Sequence, residues 1–112
     1  MPGKHSRAKG AGYEREIANF LKSYGYDAKR SGQYQSQSSD AAPDVSGFPP
    51  FWVECKRMKR IVIHGWMQQA IESSQPADIP IVICRGDGKS SLVVIDLEDF
   101  MDAIEGEDNA DR

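Results

Sequence analysis

The chain has 112 residues, of which 39% are hydrophobic and 28% charged, the proportions of one globular domain with a single core and no length for a second. It holds no apolar run of about 18 residues, which excludes a membrane-spanning helix, and its first residues, MPGKHSRAKGAGYERE, lack the apolar stretch of a secretory signal. The net charge of −3 conceals an asymmetry: residues 1–64 carry 11 Lys and Arg against 6 Asp and Glu (+5), and residues 65–112 carry 3 against 11 (−8), so the first part suits a polyanion and the second repels one.

Residues 1–10 are basic and aperiodic and are expected to be a mobile arm. From Tyr13 the pattern becomes helical, with Ile17, Phe20, Leu21 and Tyr24 on one stripe and Gly25 as the stop. Glu14 stands beside that stripe, whereas Glu16 lies further round. Residues 26–30 are short enough for a strand. Residues 31–42, SGQYQSQSSDAA, read as a flexible loop, and a loop of this length inside a domain needs a purpose. Asp44-Val45-Ser46 and residues 51–56 read as two strands separated by Gly47 and Pro49-Pro50.

The second of these strands alternates. Phe51, Val53 and Cys55 point one way, while Trp52, Glu54 and Lys56 point the other. A basic run follows, Lys56-Arg57-Met58-Lys59-Arg60, then a helix over 65–74 with Trp66 and Gln69 on one side. Residues 79–84 are continuously apolar, as in a strand covered on both faces. A turn at 86–89, a strand over 91–95 and a helix carrying Leu97, Phe100, Met101 and Ile104 complete the chain, and residues 105–112 read as an acidic tail. The order implies a mixed α/β domain over 11–104, with helices packed on a central sheet. Cys55 and Cys84 sit in apolar strands without metal-ligand spacing and are expected to be small buried hydrophobes in a reducing, cytosolic compartment.

The chemistry concentrates at Asp44, Glu54 and Lys56. Mg²⁺ dehydrates reluctantly and needs only one or two carboxylates besides waters and substrate oxygens, and Asp44 and Glu54 on adjacent strands would supply that pair. The Cys55 carbonyl is a third ligand on this reading. Such an ion would polarise a phosphodiester and lower the pKa of a bound water, with Lys56 orienting that water or neutralising charge on the phosphate. A Glu-x-Lys triplet by itself is common surface decoration; the Pro-Asp pair at hairpin distance and the upstream helical glutamate lift this one above that background.

Pro43-Asp44, a gap, and Glu54-Cys55-Lys56 resemble the PD-(D/E)XK nuclease motif. With Lys9-Gly10-Ala11-Gly12-Tyr13-Glu14-Arg15-Glu16-Ile17 before it and a helix bearing Gln69-Ala70 after it, the chain is similar over about residues 9 to 100 to archaeal-type Holliday junction resolvases and their phage relatives. The resemblance implies a restriction-endonuclease-like fold, a Mg²⁺ or Mn²⁺ cofactor and a homodimer that cuts opposed strands of a four-way DNA junction. It implies that Glu14 completes the metal site of Asp44 and Glu54, that Lys56 is catalytic, and that Gln69, with Gln68 as the competing choice, stands near them. Arg15 would lie by the scissile phosphate. An acidic net charge and a shorter chain depart from the family pattern, which bears on junction preference more than on nuclease chemistry.

Around that centre, Lys29, Arg30, Arg57, Lys59 and Arg60 are candidates for phosphate contacts, as is Ser31, with Ser36, Ser38 and Ser39 beside it. Tyr34 either stacks on a base or packs back on the sheet. His64 either titrates near the site or caps a turn, and Trp66 is core or dimer contact. Trp52 either lines the site or lies under the first helix. Two competing functions fit the same residues: a nuclease of the same chemistry acting on duplex, nicked or flapped DNA, and a non-catalytic DNA-binding module of the same fold.

Overall fold

The computed structural model describes residues 2–31, 42–58, 60 and 62–110, and the side chains of residues 10–31, 42–58, 60 and 62–106. Tyr34, Ser36, Ser38, Ser39 and Lys59 lie outside the described residues. The elements in chain order are α1 (Pro2–Ser23), β1 (Lys29–Arg30), β2 (Val45–Ser46), β3 (Phe51–Arg57), α2 (Ile63–Ser73), β4 (Ile79–Arg85), β5 (Leu92–Ile95) and α3 (Leu97–Ala110). The strands form one mixed sheet in the order β1-β2-β3-β4-β5, parallel only between β3 and β4 and antiparallel elsewhere. The parallel pair requires a crossover, and α2 supplies it. No helix among the described residues is long and apolar enough to cross a membrane.

Strand pleating divides the core in two. Val53, Cys55, Ile81 and Ile83 face α1 and are buried with Tyr13, Ile17, Ala18 and Leu21, whereas Val82 and Cys84 face α2 and are buried with Trp66, Met67 and Ala70. Both cysteines are free and buried, as their apolar settings imply. The α1 and α2 faces therefore enclose the sheet, the expected α/β class with a restriction-endonuclease-like architecture.

Several boundaries differ from the sequence reading, and Asp44, expected within a strand, lies just before β2. Helix α1 begins at Pro2 rather than near Tyr13, and α3 continues through residue 104 to Ala110. The buried stripe of α1 is Tyr13, Ile17, Ala18 and Leu21, while Phe20 and Tyr24 are 55% and 69% exposed. The buried side of the helix is thus the one that carries Ala18, and Phe20 falls outside it; Tyr24 lies past the helix end, and its ring meets that of Phe20 at 5.0 Å. Gly25, at φ +99, is the left-handed residue that closes α1, its N–H donating to the Lys22 carbonyl at 2.9 Å, as the sequence indicates.

Candidate active site

Asp44 is held by three hydrogen bonds before any ligand is considered. Its N–H donates to the Val53 carbonyl at 2.9 Å, its carbonyl accepts from the Ser31 N–H at 3.0 Å, and its Oδ2 accepts from the Cys55 N–H at 2.9 Å. The backbone between β1 and β3 thus fixes the carboxylate, leaving Oδ1 for another partner. In a strand the N–H and C=O of one residue leave the same side, so the Cys55 carbonyl also faces the Asp44 edge of β3.

On β3, Glu54 and Lys56 lie opposite Val82 and Cys84 of β4, hence on the α2 face. Glu54 is half-buried, and its Oε1 accepts a 2.8 Å hydrogen bond from the Trp52 indole N–H. Trp52 therefore lines the site, and its buried ring removes water from the carboxyl beside it. Burial foremost, then the charge of Asp44, pushes Glu54 up to about 7; the Trp52 hydrogen bond and the Lys56 charge only partly oppose this. The two carboxyls are close enough for protonated Glu54 to hydrogen-bond Asp44.

Glu14 arrives from α1 on the other face of the sheet. Burial, followed by the charge of Asp44, raises its pKa, and the nearby Arg30 and Arg15 act in the opposite sense. Arg30 Nε donates to Glu14 Oε1 at 2.9 Å, so this arginine orients the carboxylate. Asp44 is thus the common neighbour of Glu14 and Glu54. The Cys55 thiol beneath them is raised by burial and by all three acids in turn, so it remains a neutral thiol.

Lys29, Arg15 and Arg60 are exposed, and Arg57 is half-buried with its Nη2 3.6 Å from Asp87 Oδ1. The Ser31 hydroxyl is buried with no hydrogen-bond partner among the described residues. Gln69 is exposed on α2, and Gln68 donates to Glu72 along the same helix at 2.9 Å. His64 is exposed at the start of α2, and Trp66 is core. Among the described residues no group of three or more His, Cys, Asp or Glu is placed to hold a metal ion.

Three contacts escaped the sequence, the Arg30–Glu14 pair among them. The Trp52–Glu54 hydrogen bond had a signal, since residues two apart share a strand face. The bidentate pair between Arg85 and Glu16, with Nη1 at 2.9 Å and Nη2 at 3.0 Å from the carboxylate, had none, because the partners are far apart in the chain.

Asp44 just before β2, Glu54 and Lys56 two residues apart on β3 and Glu14 on α1 stand in the order of the PD-(D/E)XK nuclease motif. A family model described as "Phage putative PDDEXK endonuclease" matches residues 5–111, and the chain belongs to that endonuclease family. No curated protein and no solved structure gives a match.

Proposed function

We propose that the protein is a divalent-metal-dependent, structure-specific DNA endonuclease that hydrolyses phosphodiester bonds in branched DNA, a Holliday junction resolvase acting as a homodimer in the cytosol. The observation that carries the chemistry is the approach of the Asp44 and Glu54 carboxyls, with Lys56 acting on the same acid. Two anionic oxygen donors so close repel one another until a proton or a cation lies between them, and this donor set suits the hard ions Mg²⁺ and Mn²⁺. Asp44 and Glu54 would hold the ion, with the Cys55 carbonyl and waters completing its shell and Glu14 acting from the far side of Asp44. When bound, the ion supplies Lewis-acid activation of the phosphate and of a water.

The chain's own groups do the rest. Lys56 meets the phosphate oxygen on which negative charge develops, where a fixed cation counts for more than in water. Trp52 excludes water from one side of Glu54 and holds its Oε1, and Arg30 holds Glu14. Exposed Lys29, Arg15 and Arg60 contact the backbone of the substrate in a sequence-independent way. The junction preference and the homodimer rest on the resemblance in motif order; the cytosolic setting is supported by the DNA substrate and the free cysteines.

The test is to incubate the protein and its Glu54→Ala variant with a labelled four-way junction, the matching duplex and single strand, with Mg²⁺ and then with chelator. Paired symmetric nicks in the junction alone, lost in the variant and with chelator, are expected. Cutting of every substrate would leave the chemistry and remove the junction preference, and no cutting with either metal would make the protein a binding module.

A further inference from the structure

Helix α1 is gripped on both flanks by arginines from different strands, and only one of them touches the carboxylate assigned to the active site. On one flank Arg30 of β1 holds Glu14 at 2.9 Å. On the other, Arg85 at the end of β4 holds Glu16 through both terminal nitrogens and places its guanidinium 5.2 Å from the centre of the Tyr13 ring. Tyr13 in turn shares a 2.8 Å hydrogen bond with Ser91. At 3.6 residues per turn, Tyr13 and Glu16 are neighbours on one side of the helix, while Glu14 leaves nearly opposite Glu16.

We infer that Arg85 is a positioning residue for the active site: by fixing the rotation of α1 through Glu16 and Tyr13, it sets Glu14 against Asp44. This rests on the role of Glu14 in the nuclease reading above. The geometry requires a device of this kind. A carboxylate about 5–6 Å from a helix axis is swept through roughly 2 Å by a rotation of about 20°, and Arg30, on the edge strand β1, grips one flank only. Arg85 is suited to the task because a planar guanidinium can grip a carboxylate with two nitrogens while facing an aromatic ring, which a lysine cannot. Its Nε is buried without a hydrogen-bond partner among the described residues, so the polar contacts that orient it are those to Glu16. Partly exposed ion pairs add little to stability, so the effect of Arg85 falls on the placement of Glu14.

The test is a double-mutant cycle of Arg85→Ala and Glu14→Gln in Mg²⁺-supported junction cleavage. Misplacement of an active-site group by about 1 Å costs up to roughly a hundredfold, so Arg85→Ala is expected to lower kcat by about 10–100-fold with KM for DNA nearly unchanged. Arg85→Lys should recover only part of the loss. In the Glu14→Gln background, Arg85→Ala should cost nothing further, because its effect passes through Glu14. Losses that multiply, or a raised KM with kcat intact, would overturn the proposal; Glu14→Gln cutting at the wild-type rate would remove the role of Glu14 and the proposal with it. A readout independent of cleavage separates this inference from the nuclease reading. The ¹⁵N resonance of the Arg30 Nε–H group, hydrogen-bonded to Glu14, should move toward that of a free guanidinium in Arg85→Ala, and an unmoved signal would overturn the inference even if no DNA were cut.

Discussion

Glu54 joins three influences that a sequence cannot combine: a buried indole beside it, Asp44 across the strand gap and Lys56 on its own face. Burial and the charge of Asp44 raise its pKa from the ordinary 4.5 to about 7, while the indole N–H and Lys56 act against them, so stability depends on pH. A folded state that binds a proton more tightly than the unfolded chain is stabilised in full below the unfolded pKa, and loses that stabilisation as pH rises through the folded one. The metal-free protein is therefore expected to lose stability between about pH 4.5 and 7. Discounted for the solvent that still reaches the carboxyl, the loss is about 1–2 kcal/mol, or roughly 5–10 °C in Tm. Glu14, raised in the same direction, adds to it. Thermal melts across this range should show the decline in the wild type and much less of it in Glu54→Gln, and Mg²⁺ should reverse it by binding the ionised pair; equal declines in wild type and variant would refute this account. The alternation of β3 made Glu54 and Lys56 legible in the sequence, but the proximity of Asp44 depends on a hydrogen bond to Cys55 that only the folded hairpin creates.

At the scale of the element, the β2–β3 connection decides whether Asp44 reaches Glu54. Gly47 has a φ of +88 and lies so close to the Asp27 carbonyl that a Cβ would collide with it. Gly47→Ala is expected to destabilise the fold by about 2 kcal/mol or more through backbone strain and collision, measured by denaturant unfolding, and to displace β2 and with it the preceding Asp44. A neutral effect would show that the turn relaxes freely. The punctuation of this turn by Gly47 and Pro49-Pro50 was legible in the sequence. The buried stripe of α1 was read only in part, because a 3.6-residue period selects a face but not the tilt at which it meets a sheet, and Ala18 takes the place expected for Phe20. Helix α3 shows the same limit: its apolar positions are periodic, yet Leu97, Phe100, Met101 and Ile104 are 73%, 45%, 45% and 41% exposed.

Over the whole molecule, the basic and acidic portions of the chain remain unlike in charge, and the candidate phosphate contacts Arg15, Lys29, Arg57 and Arg60 all come from the basic portion. A single copy offers one site, whereas paired cuts in a junction require two. The proposed homodimer supplies the second and predicts a sedimentation mass near twice the 12.5 kDa chain at the concentration where junctions are cut. A mass equal to one chain under those conditions would remove the dimer and leave the single-site chemistry standing.

By itself the sequence determined the fold class, the two-faced β3, the free buried cysteines and the acids and lysine of the candidate centre, because strand alternation, glycine stops and continuous apolar runs are properties of neighbouring residues. Tertiary structure alone decided that Asp44 stands between Glu14 and Glu54, that Trp52 holds Glu54, and that Arg30 and Arg85 grip α1 from its two flanks. Apart from Trp52 and Glu54, these contacts join residues brought together only by sheet order and helix tilt, which arise from the packing of the whole core and leave no local periodic trace.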